Sequence, residues 1–115
     1  MGFNFEAPRI ELPHIKVVTP SENFVENMGE QVTRLRAMLK PDEDFVGEYF
    51  TGAETITITH IGVAGREMVQ LIGFDQERRR CYMFSHVASV NILFRICNTT
   101  PEQKRQYGFT VDKTS

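Results

Sequence analysis

The sequence predicts an α+β fold: an antiparallel sheet of about four strands packed with two helices and led by an extended N-terminal arm. Three observations carry that expectation. A capped run of helical period fills residues 19–40, the period changes to two over residues 45–84, and a second run of helical period covers residues 85–97. A chain of 115 residues with no repeat, low-complexity tract or linker is expected to form one domain around a modest core.

The arm comprises residues 1–18. Pro8 and Pro13 each disfavour helix at the preceding residue, while Phe3, Phe5, Ile10, Leu12, Ile15, Val17 and Val18 spread apolar groups along it. Such a segment is expected to lie extended on a surface, that of another subunit ahead of its own domain. In "TPSENFVENMGEQVTRLRAMLK" Thr19 is placed as N-cap, Pro20 takes the first helical position, and Glu22 completes a capping box. Val25, Met28, Val32, Leu35 and Leu39 form one apolar stripe, and Lys40 with Pro41 ends the helix. Gly29 within it costs about 1 kcal/mol relative to alanine, which points to a close packing contact. Arg34 and Arg36 fall off the stripe. Their first reading is a solvated face, and they are also the candidates for a second ligand site.

From Phe45 the alternation is that of strands: "FVGEYFTG" and "TITITHIG" around a tight turn at Gly52–Glu54, then "MVQLIGFD", then "RCYMF". In the second of these, Ile56, Ile58 and His60 are expected on one face, and Thr55, Thr57, Thr59 and Ile61 on the other. "GVAGRE" and "DQERRR" read as turns. In "SHVASVNILFRIC", wound at 100° per residue, His86, Val87, Val90, Leu93, Phe94 and Cys97 share an arc of about 120°, a core stripe with Ser85 as N-cap. On this reading His86 belongs to the core. Ala88, Asn91 and Arg95 share a different face. A polar loop then leads to a C-terminal segment at residues 105–111.

Composition narrows the function classes. A net charge of −2 gives no footprint for duplex DNA or an anionic membrane, so nucleic-acid polymers and membranes are not expected partners. No apolar run reaches the length of a membrane span, and the N-terminus does not read as a signal peptide. Cys81 and Cys97 are expected to remain reduced, and the cytoplasm is the expected location. The three histidines and two cysteines lack zinc-ligand spacing, "GVAGRE" lacks the lysine of a phosphate loop, and no nucleophile-elbow motif occurs. Neither a metal nor a cofactor is expected.

What remains is a cluster suited to a flat anionic ligand. Asn91 can hydrogen-bond a base edge and Arg95 can grip a phosphate. "KRQYGF" sets Lys104 and Arg105 beside Tyr107 and Phe109, and Tyr82 and Phe84 add rings upstream.

The segments "HIG", "VQLIGFD", "FSHVASVNILF" and "RQYGF", in that order over roughly residues 45–110, resemble a family of phage Thoeris anti-defence proteins, the first type described, and related bacterial and phage proteins. His86, Val87, Asn91 and Leu93 match the family's His-Val-Ser-Gln-Leu-Asn-Phe-Leu-Leu run, and Arg105, Gly108 and Phe109 match its Arg-x-Ile-Gly-Phe tail. Ser85, Ala88, Ser89 and Tyr107 depart from the pattern, which bears on ligand choice more than on fold. The resemblance implies a homo-oligomer, a dimer or a hexamer built from dimers, in the host cytoplasm. It implies a sponge that holds glycosyl-cyclic ADP-ribose without cleaving it, some relatives holding cyclic trinucleotides in a separate site. Asn91 and Arg105 are the residues it carries over best, with Tyr82 or Phe84 as the stacking ring. Two other readings stay open: a small phosphodiesterase or glycohydrolase using His60 and His86, and a ligand-free oligomeric interaction module.

Overall fold

The computed structural model describes residues 18–99 and 109–112. All of the expected arm but Val18, and most of the C-terminal segment, Arg105 included, lie outside the described residues.

One α-helix, α1 (Pro20–Met38), begins as its sequence dictates. Thr19 is extended at φ −71° and ψ 159°, its Oγ accepts the Glu22 N–H at 3.2 Å, and its hydroxyl donates to the Glu22 carboxylate at 3.0 Å. Val25 and Val32 are fully buried, while Met28, Leu35 and Leu39 pack partly buried against the same core. Ser21, also buried, carries a contact the sequence does not announce. Its backbone N–H donates to the Arg66 carbonyl at 3.0 Å and its hydroxyl to the Gly65 carbonyl, pinning the start of the helix to a turn of the sheet.

The sheet follows in β1 (Glu43–Phe50), β2 (Thr55–Val63), β3 (Met68–Phe74), β4 (Arg80–His86), β5 (Ile92–Asn98) and β6 (Thr110–Asp112). Its order is β4-β3-β2-β1-β5, all antiparallel, with β6 added in parallel to β2 alongside His60, Ile61 and Gly62. The expectation of about four strands and two helices is therefore corrected to five or six strands and one helix among the described residues.

Residues 85–97 account for the difference. Instead of a helix they form the end of β4, a single 3-10 turn at Val87–Ser89, and β5. Ile92, Phe94 and Ile96 point one way along β5, and Leu93 and Arg95 the other. Leu93, placed on the helical core stripe, is 45% exposed. A short run rich in isoleucine and phenylalanine satisfies periods of two and 3.6 about equally well, and a free edge on β1 decides the matter. His86 is correspondingly not a core residue. Its side chain is half exposed, and Nδ1 accepts the Ala88 N–H at 3.1 Å to cap the 3-10 turn.

A β-bulge in β2 produces a second correction. Ile58 pairs with Gly73 and His60 with Ile72, leaving Thr59 as an extra residue. The insertion reverses the alternation, so that Ile56, Ile58 and Ile61 are all buried and His60 leaves the face of Ile58. At the same place a side chain on Gly73 would collide with the Thr57 backbone, so glycine is required there.

The link from β4 to β5 reveals the shape of the sheet. His86 lies level with Met68, while Ile92 lies level with Tyr49 and Ile56, near the opposite end and on the opposite edge. In a flat sheet that path would be about 30 Å, from about 23 Å along the strands and about 19 Å across them. The chain from His86 to Ile92 reaches at most about 21 Å. The sheet therefore curls, and the link crosses its concave side beneath α1, with Val90 buried and Val87 packed on the core. Phe45, Phe94 and Phe109 fill the same side with edge-on rings, Phe94 to Phe45 at 5.4 Å and to Phe109 at 5.2 Å.

Candidate functional site

Among the described residues, those expected to bind ligand do not converge within one chain. Tyr82 and Phe84 stand side by side on the outer face of β4, 53% and 61% exposed, with the Arg80 guanidinium 5.4 Å from the Tyr82 ring centre. Asn91, exposed, precedes β5 on the other edge. Arg95 grips the Glu48 carboxylate with two donors, Nε to Oε1 at 3.2 Å and Nη2 to Oε2 at 3.3 Å. Phe109 is only 4% exposed and belongs to the aromatic core. Arg34 is exposed on α1. Arg36 is committed to structure: its Nη2 donates to the Phe109 carbonyl at 2.7 Å, and its guanidinium lies 5.3 Å from the Phe45 ring centre. The residue is nonetheless exposed, so it keeps the solvated face the sequence suggests while anchoring these groups.

The structure instead draws attention to a different place, the turn between β3 and β4. An open depression of about 570 Å³ lies against it. Phe45, Gly47 and Phe109 border it from the concave side, while Thr57 and Phe74, paired across the outer face, and Arg78 bring a hydroxyl, a ring that is 41% exposed and a guanidinium. Gln76 adds an amide at the rim. Thr59 also lines the space, but its hydroxyl donates to the Ile72 carbonyl at 3.3 Å.

The turn is held rigidly by Asp75. This carboxylate accepts the backbone N–H of Glu77 at 2.9 Å and that of Arg79 at 2.8 Å on Oδ1, and the Arg79 Nε–H at 2.8 Å on Oδ2. The backbone closes the loop with Asp75 N–H to Arg79 O at 3.1 Å and Arg78 N–H to Asp75 O at 3.0 Å. The Arg79 backbone N–H, and after it the Arg79 guanidinium, keep the Asp75 carboxyl below the usual carboxylate range, against the opposing push of burial. Arg79 is raised in turn by the hydrogen bond and charge of Asp75.

This arrangement is a tight turn closed by one residue in the left-handed region, a position that usually holds glycine or asparagine. Here it holds Arg78, at φ +62°. For a side chain of this size the conformation costs about 1–2 kcal/mol. Among the described residues the Arg78 guanidinium has no carboxylate partner, whereas Arg79 has two, Asp75 and Glu77, and Arg95 has Glu48. Asp75 is neutralised by Arg79, so the charge left facing the depression is that of Arg78.

Among the described residues no group of three or more His, Cys, Asp or Glu is placed to hold a metal ion. No helix among them is long and apolar enough to cross a membrane. No family model, curated protein or solved structure matches the chain.

Proposed function

We propose that this chain is a non-enzymatic binding protein that sequesters nucleotide immune signals of the glycosyl-cyclic ADP-ribose kind, with cyclic trinucleotides as further ligands, and so inhibits host anti-phage defence. The observation that supports the reading is the depression at the β3–β4 turn. Its volume is that of a nucleotide-sized ligand site, and it combines an exposed ring, a free guanidinium and an uncommitted hydroxyl. Sequestration needs only such contacts and no chemistry. Asn91, Tyr82, Phe84, Arg95 and Arg105 enter this reading as residues of an inter-subunit site. Tyr82 and Phe84 on one sheet edge would meet Asn91 and Arg95 of the other edge across a homo-oligomer.

The test is to incubate the purified protein with the signal, denature it by heat, and analyse the supernatant. Intact ligand supports the sponge. A cleaved product refutes it and supports a phosphodiesterase or glycohydrolase.

A second reading, an oligomeric interaction module without a small ligand, is favoured by one feature. Met68, Phe74, Tyr82 and Phe84, 36%, 41%, 53% and 61% exposed, share the outer face of β3 and β4. A patch of that kind commonly marks a contact surface. It predicts that a thermal-shift screen with cyclic nucleotides and ADP-ribose derivatives leaves the melting temperature unchanged, whereas a bound ligand raises it by mass action.

A further inference from the structure

Arg78 is an arginine where the backbone asks for glycine. Its turn is over-determined by the hydrogen bonds of Asp75, so the left-handed conformation persists in spite of its cost. Among the described residues its side chain is exposed and has no hydrogen bond or ion pair. A strained residue that the fold does not need, at the mouth of a ligand-sized space, is expected to be kept for what its side chain binds.

We infer that Arg78 is the anion grip of the depression: its guanidinium receives a phosphate or diphosphate group while the attached aromatic or sugar portion lies against the exposed Phe74 ring, on the face that Phe74 shares with Thr57. Two donors beside it complete the phosphate site. The Thr57 hydroxyl and the Gln76 amide line the same space, and neither has a hydrogen-bond partner among the described residues. Arginine suits the task because its planar fork meets two phosphate oxygens at once. Asp75 would oppose an anion if its charge were free. Arg79 answers that charge and leaves Arg78 unopposed. The Asp75–Arg79 pair is thus a positioning device, and Arg78 is the residue that touches ligand. The inference rests on the binding-protein reading for its ligand class, but it names a site that the sequence motifs do not.

The experiment is calorimetric titration of the full chain with two probes, inorganic pyrophosphate and ADP-ribose, paired with melting curves. Arg78→Gln keeps length and removes charge. It is expected to weaken both probes at least about tenfold, as the loss of a bidentate charge-assisted contact requires. Arg78→Gly is expected to lose binding to the same degree while raising Tm by about 3–6 °C, because glycine relieves the left-handed strain. That opposite movement separates a lost grip from a damaged fold. Arg80→Gln, which removes a neighbouring charge lying on Tyr82, is expected to leave both affinities within about twofold.

Equal binding by wild type and Arg78→Gln overturns the inference, as does an equal loss in Arg80→Gln, which would show only a diffuse basic turn. Failure of the wild type to bind either probe also overturns it. The sponge reading is judged separately, by recovery of the intact immune signal after heating. A protein that retains the signal with Arg78→Gln in place keeps its proposed function and loses this site.

Discussion

The aromatic cluster offers a quantitative check on where Phe109 belongs, since the sequence marks that ring as a ligand contact and the structure buries it. Phe109→Ala removes a ring that is 4% exposed and meets Phe94 edge-on at 5.2 Å and Phe45 at 6.2 Å. Phenylalanine-to-alanine changes in cores cost about 3–5 kcal/mol, depending on how far the site collapses. Collapse is poor here because Gly47, directly beneath the ring, has no side chain to move into the space. A Cβ on Gly47 would sit 3.0 and 3.2 Å from Phe109 Cε2 and Cδ2, and 3.3 Å from Phe94 Cε1. The expected loss for Phe109→Ala is therefore about 4 kcal/mol. The same geometry predicts a coupling. Gly47→Ala in the wild type forces the rings apart and destabilises by about 1 kcal/mol. In the Phe109→Ala background two of those three contacts are gone, and the new methyl group fills space while stiffening a strand glycine, a gain of about 0.5–1 kcal/mol. The double-mutant cycle, measured by urea unfolding of all four proteins, should give an interaction of about 1.5–2 kcal/mol. An interaction within about 0.3 kcal/mol of zero, or a Phe109→Ala loss below about 1 kcal/mol, would refute the packing and return Phe109 to the surface.

Four further outcomes follow from individual contacts. Gly73→Ala places a methyl group on the Thr57 backbone opposite the bulge and is expected to abolish cooperative unfolding or cost more than about 3 kcal/mol by chemical denaturation. Thr19→Ala removes the cap that accepts the Glu22 N–H and should lower stability by about 1 kcal/mol, with Thr19→Ser recovering most of it in melting curves. Because folding lowers the pKa of Asp75, its contribution is complete above the unfolded value of about 3.9 and is lost as pH falls through the folded value. Wild type should therefore exceed Asp75→Asn in stability at pH 7, with the gap narrowing at acid pH; a gap independent of pH would show that the charge contributes nothing. Replacing Tyr82 and Phe84 together with serine should shift the protein to smaller assemblies in light scattering if the outer face of β4 joins subunits, and leave the monomer's melting temperature within a few degrees.

Which parts of this fold the sequence discloses depends on how far a residue's structural reason lies from it along the chain. The cap at Thr19, the first-turn Pro20 and the stripe through Val25 and Val32 are decided within one helix, and they are legible. The hairpin strands are legible for the same reason. The inversion of β2 at Thr59 is not, because the extra residue exists only by comparison with β3, where Ile58 and His60 face Gly73 and Ile72. The strand at Ile92–Asn98 is hidden by a coincidence of periods, and only the unfilled edge of β1, more than forty residues earlier, selects period two. Of the site, the aromatic and basic residue types are visible in sequence, but not their placement on opposite edges of a curled sheet.

The β3–β4 turn shows a different kind of concealment. "DQERRR" advertises a turn through Asp75, whose side chain does organise it. What the letters withhold is the left-handed residue, since the usual sign of one is glycine or asparagine and Arg78 is neither. Local rules would have given this position to glycine or asparagine ahead of arginine. A stretch of three arginines also invites a single explanation, solvation, when the three differ in every physical respect: Arg79 neutralises Asp75, Arg80 lies on the Tyr82 ring, and Arg78 alone bears strain without a partner. Where a sequence accepts a backbone penalty that one glycine would remove, the side chain carries the reason, and the ligand-sized space beside Arg78 says where to look for it.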